Sequence, residues 1–287
     1  MSKENLKALI NGIYDIQKLR IQMGNRITMN IKTKLGQEPS MKESEMEKQA
    51  KDYLDEIRKN FKLITEGMLT IPTKTQFKKL GVFDDYTEMN LAGLYTRLYE
   101  DEQQQVKRLE GVIDDFPIWT EFMKDVRGCG PLMAGVIISV FDIEKAKYPS
   151  SFHAYIGLDV VNGKGRSRIK EHLVDSTYID ADGNEQTKKG ISFNPWGKTK
   201  IVGVLGSSFI KQPADKCKYR KIYDNYKHRI ANHKNHQEKS KGHIHAMANR
   251  YMIKQFLVDL HMKWRELEGL EVSLQYSEAK LGYKHAA

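Results

Sequence analysis

A chain of 287 residues, 40% of them apolar, is long enough to bury one large core or two smaller ones. Its formal net charge of +10 points to a phosphate-bearing partner, nucleic acid or acidic lipid, because solubility alone needs no such bias. Two distant cysteines, Cys129 and Cys217, exclude a disulfide framework, and the longest apolar run, "GPLMAGVIISVF", is too short to cross a bilayer. The polar start "MSKENLKALI" is not expected to be a signal peptide, so a reducing, cytoplasmic setting is anticipated and no membrane partner.

The first 125 residues read as helix nearly throughout. Apolar positions recur at Leu9, Ile10, Ile13, Ile16, Leu19, Met23 and Ile27. "QEPS" interrupts the stripe at Pro39, and Ser40 with Glu43 three residues on has the form of a capping box. The next segment steps through Ala50, Leu54, Ile57, Phe61, Ile64 and Met68, a heptad seam that prefers a partner helix, either within one chain or, as expected here, between copies in a homodimer or higher oligomer. A third helix carries Val106, Leu109, Ile113 and Phe116 before Pro117 interrupts it. Residues 1–117 are therefore expected to form a helical coiled-coil region, and residues 118–287 a nucleic-acid-binding domain.

"RGCGPLMAG" opens that second region. Gly128 fits a tight turn, Pro131 sits early in a new helix where its missing N–H costs nothing, and Gly130 lies between them. This is the pattern of a helix-hairpin-helix, in which free amides at the second helix start can bind one DNA phosphate. Trp119, Phe122 and Val126 would be the apolar face of the first helix. The alternative is an ordinary turn before a buried helix.

Further on, "DADGNEQTKKG" has hairpin chemistry at Asp182-Gly183. The closing helix turns Met252, Ile253, Phe256, Leu257, Leu260, Trp264 and Leu267 to one face, with Gly269 as its cap. The predicted fold is mainly α: a helical coiled-coil region, then a helical domain with a helix-hairpin-helix and a small β-hairpin.

Between Lys198 and Arg250 stand thirteen Lys or Arg against Asp215, Asp224 and Glu238; thirteen minus three equals the net charge of the whole chain. The excess is local. Lys198, Lys200, Lys218, Arg220 and Lys221 are candidates to neutralise a phosphate backbone, with Lys164, Arg166 and Arg168 from "NGKGRSR", read as a flexible basic loop. Tyr219, Tyr223 and Tyr226 either stack on bases or pack their helix onto the domain. His228, His233, His236, His243 and His245 lack acid or thiolate partners at metal-ligand spacing, so neither a metal nor another cofactor is expected.

Taken in order, "GVIDDFPIWTEFMKDVRGCGPLMAGVIISVFD", "FHAYIGLDV", "GISFNPWGKTKIVGVL", "YRKIYDNYK" and "AMANRYMIKQFLVDLHMKW" resemble the C-terminal half of the insertion-sequence-110 transposases and the related Piv DNA invertases. The resemblance runs from about Tyr14 onward. It implies DNA binding in transposition or site-specific recombination, and it implies a connecting coiled coil for the N-terminal helices. Two departures matter. The family's RuvC-like domain carries four metal-binding carboxylates, and the acids of "MKESEMEKQAKDYLDE" lie instead on an expected solvated helix. The family's serine nucleophile precedes a glycine just after the "YIGL" segment, where this chain has Asn162 before Gly163; Ser167 is the weak substitute. The expected partner is DNA, with structured RNA as a further candidate, bound without cutting alone. The alternatives are a recombinase whose carboxylate domain comes in trans, and a regulatory dimerisation module.

Overall fold

The computed structural model describes residues 1–52, 54–55, 86–236 and 238–273; the heptad positions from Ile57 to Met68 lie outside the described residues. The described chain is mainly helical, with two small antiparallel sheets. It divides into two compact units, Ala8–Arg108 and Met1–Lys7 with Leu109–Ala287.

The smaller unit holds most of α1 (Lys3–Lys34) and α2 (Tyr86–Val112). Gln17 donates to Glu102 at 2.9 Å, Arg20 to Glu102 at 2.6 Å and to the Tyr95 hydroxyl at 3.2 Å. Partners descend on one helix as they rise on the other, so the pair is an antiparallel hairpin. Glu102 is buried, and Arg20 offsets the cost of that with a charge-assisted bond. Ile27, Ile31, Met46, Leu54 and Ala92 form a core cluster of this unit. Of the expected α1 stripe, Ile10, Ile13, Met23 and Ile27 are buried, whereas Leu19 is exposed. Ser40 does not cap a helix: its hydroxyl turns to Glu38, and helical backbone resumes only at residue 48.

In the larger unit, Pro117–Thr120 (α3) and a 3-10 turn at Met123–Asp125 stand where one helix was expected. Phe122, at φ −146° and ψ −65°, breaks the continuity between them. α4 (Pro131–Val140) is buried from Met133 to its end, which is why its sequence has no polar face. α5 (Pro149–Tyr155) leads into the ribbon β1 (Val160–Val161) and β2 (Lys164–Gly165). The expected hairpin follows as β3 (Val174–Ile179) and β4 (Glu185–Gly190), with Ile179 opposite Glu185 and the turn at Asp180–Asn184.

One helical rod then runs through α6 (Pro195–Lys198), a π-helical stretch (Thr199–Leu205) and α7 (Gly206–Ile210). α8 (Lys218–Ala231) and α9 (Lys241–Leu267) pack closely against each other. Met252, Ile253, Phe256, Leu257, Leu260 and Trp264 are buried as the stripe requires. α9 ends in a Schellman motif: Leu270 N donates to Arg265 O at 2.8 Å and Gly269 N to Glu266 O at 3.1 Å. Phe209, Tyr219 and Phe256 meet with ring centroids 5.0–5.3 Å apart and join α7, α8 and α9.

Candidate nucleic-acid interface

The basic stretch "NGKGRSR" is a tight ribbon, not a loose loop. Asn162 and Gly163, at φ 50° and 74°, make the two-residue turn between β1 and β2. That turn sets Asp159 beside Arg166, whose guanidinium donates to both carboxylate oxygens at 2.7–2.9 Å. Burial opposes ionisation, yet the Arg166 hydrogen bonds hold the Asp159 carboxyl below its usual range. Arg166 also donates to the Ser192 hydroxyl.

Lys198 ties the ribbon to the helical rod. Asn194 caps α6 by accepting from Gly197 N at 2.9 Å, and Pro195 takes the first helical position. This places Lys198 Nζ 2.7 Å from Gly157 O and 2.8 Å from Arg166 O, with the ammonium 4.8 Å from the centroid of the Phe193 ring. Burial, with Arg250 and Arg166 adding to it against Asp159, pushes the Lys198 ammonium below its normal pKa. Gly157 has φ +66°, and a Cβ there would lie 2.7 Å from the Phe193 ring.

Beyond Lys198 the rod widens into its π segment. Asn249 of α9 donates to Val202 O at 3.0 Å, and its side chain occupies the space a Cβ at Gly206 would need. Inserted polar groups of this kind hold π geometry open, and such segments recur at functional sites.

The other candidates divide by what they touch. Lys218 bridges Asp259 at 2.9 Å, and Arg220 bridges Asp224 at 2.7 Å while donating to Ile210 O. Lys164 lies 3.4 Å from Glu171. Lys200 is half-buried, its pKa lowered by that burial, and stands 5.9 Å from the Trp196 ring centroid. Arg168 and Lys221 are exposed and have no ion pair among the described residues. Tyr219 and Tyr223 are core residues: one donates to Asp259 at 2.8 Å, the other lies 2.6 Å from His245 Nδ1. Tyr226 stacks on Tyr251 at 4.0 Å. The rings thus seat α8, and Lys218, Lys221, Asn225 and His228 form the exposed stripe on its other side.

In the glycine turn, Gly128 has φ +95°, and its missing Cβ makes room for Phe209 and Gln212. Ser208 Oγ donates to Gly128 O at 2.7 Å. Gly130 is exposed and caps α4 with extended backbone. The first amide bond back into the helix is Ala134 N to Gly130 O, which leaves the amides of Leu132 and Met133 without a helical acceptor.

Ser167 sits at the end of the ribbon beside His172, which is 3% exposed. Both Ser167 N, at 3.0 Å, and Ser167 Oγ, at 3.3 Å, approach His172 Nδ1. The shorter contact from the amide makes Nδ1 the acceptor and assigns the ring proton to Nε2, which is buried without a partner among the described residues. Among the described residues no group of three His, Cys, Asp or Glu is placed to hold a metal ion.

Two further cations face the ribbon. Arg250 and Lys254 lie one turn apart on α9, and Arg250 Nη1 is 3.0 Å from where a Gly165 Cβ would be. Their i,i+4 spacing was visible in the sequence, but their nearness to residues 157–166 depends on the tertiary fold. His153 Nε2 lies 3.3 Å from Lys254 O, and burial, with the Lys254 charge, pushes its pKa down to about 4. Comparison with protein-family profiles, curated proteins and solved structures returns no match for this chain.

Proposed function

We propose that this chain binds the DNA backbone as a relative of the insertion-sequence-110 transposases, gripping the duplex in a recombination assembly. The observation that carries the reading is the concentration of the entire charge excess between Lys198 and Arg250. The exposed stripe of α8 supports it, because buried tyrosines on the opposite side turn Lys221 and its neighbours outward. The Gly128–Gly130 turn with its unbonded α4 amides suits a single phosphate, as in a helix-hairpin-helix. Pairing of two copies through the heptad positions from Ile57 to Met68 belongs to the same proposal and is checked by sedimentation of Ile57→Asp; the seam position Leu54 is already buried within the chain.

The test is a salt titration with unrelated duplexes. Log affinity falls linearly with log salt, by roughly 0.9 per phosphate contacted, and differs little between sequences. Salt-insensitive or absent duplex binding overturns the reading, and a marked preference for folded RNA redirects it to that ligand.

A second reading, a recombinase completed by carboxylates in trans, draws on the Ser167–His172 contact. The Ser167 amide competes for the same Nδ1 lone pair, so a turn-capping role accounts for the geometry equally well. A covalent protein–DNA adduct lost in Ser167→Ala would favour the enzyme.

A further inference from the structure

The β1–β2 ribbon gathers Arg166, Lys198, Arg250 and Lys254 around one carboxylate, Asp159. Asp159 has both oxygens engaged by Arg166, and Lys198 donates to two carbonyls. Arg250 and Lys254 have no hydrogen-bond acceptor for their charged groups and no ion pair among the described residues. Lys254 is nonetheless half-buried, where burial and the Arg250 charge lower its pKa against the pull of Asp159. Two adjacent cations held toward a ribbon whose one carboxylate, Asp159, is already engaged by Arg166 repel each other without full compensation, and an arriving anion would relieve this. His153 supplies no competing charge near neutrality, because its pKa lies at about 4.

We propose that Arg250 and Lys254 form a subsite for one phosphate group, closed on one side by the Gly165 backbone and presented with that group by a nucleic-acid backbone. The backbone as source rests on the DNA reading above; the anion site itself does not. A guanidinium supplies paired N–H donors that match phosphate oxygens, and an ammonium one turn away supplies a point charge to a third. A Cβ at Gly165 would lie 3.0 Å from Arg250 Nη1, so the bare backbone there lets the guanidinium approach the ribbon closely.

Duplex binding is measured across salt for the full chain, for Arg250→Gln, for Lys254→Gln and for the double variant. Lys145→Gln, an exposed lysine on another segment, serves as the control. Each single variant is expected to weaken binding about tenfold and to reduce the salt slope by roughly 0.9. The double variant loses about the same slope, not twice as much, because both side chains hold one phosphate. Gly165→Asp, which sets a carboxylate against Arg250 while keeping both cations, gives the same loss. Unchanged slopes in the variants, with the unaltered chain still binding DNA, overturn the subsite and leave the DNA reading standing.

Inorganic phosphate at constant ionic strength is the second arm, read from the Lys254 Nζ resonance. If the chain binds no duplex, the DNA reading fails. A phosphate-induced shift absent in Arg250→Gln then assigns the subsite to free phosphate groups, and no shift overturns it.

Discussion

The junction of Arg166 with Lys198 and the outer face of α8 at Lys221 are both basic, yet these cations serve different ends. Arg166 and Lys198 bind the protein itself: a carboxylate, a hydroxyl and two backbone carbonyls. Lys221 on α8 faces water with no such obligation. A count of charges finds a basic region but does not separate cations that build a site from cations that meet a ligand. Removing the first kind costs stability; removing the second costs affinity.

The largest expected effect is at Gly157. Gly157→Ala combines positive φ with overlap on the Phe193 ring and should lower unfolding free energy by about 3 kcal/mol, read by urea denaturation. Lys198→Met comes next. It leaves two carbonyls without their donor and should cost about 2 kcal/mol, with duplex affinity falling only as far as the ribbon loosens.

The pH dependence is graded by His153. Its pKa of about 4 in the folded chain lies below the 6.5 of an exposed histidine, so the unfolded chain binds the proton more readily. The His153 contribution is complete above pH 6.5 and lost as pH falls toward 4. His153→Gln should flatten the melting temperature over that interval. The smallest stability effect belongs to Lys221→Gln, within 0.5 kcal/mol of zero, with a uniform loss of duplex affinity and roughly one unit of salt slope. A large stability loss there would erase the contrast between the two regions.

What was legible in the sequence was local. The α9 stripe and its Gly269 cap, the Asp182-Gly183 hairpin and the apolar tail of α4 follow from neighbouring residues alone. The Asn162-Gly163 turn was equally local, but a basic composition drew the reading toward a flexible loop; the dipeptide is a hairpin signal, and it is what brings Asp159 to Arg166. Residues 117–126 have the composition of one helix but form two short turns, because the backbone at Phe122 leaves the helical region at φ −146° and ψ −65°. The convergence of Lys198, Arg250 and Lys254 was out of reach, because residues fifty positions apart meet only through the packing of the rod against α9.

The π segment has a consequence for aim. An α-helix advances about 100° per residue, so the two ends of a rod point in directions fixed by the number of residues between them. Phe209 must face the core, and Lys198 must face Gly157 and Arg166. The widened turns between them take up residues without the full α rotation, which lets one rod satisfy both ends. Deleting a residue from 199–205 would turn Lys198 away by about a quarter of a circle while the aromatic end stayed seated. Asn249, wedged at Val202, is in this sense the part that sets where the lysine points.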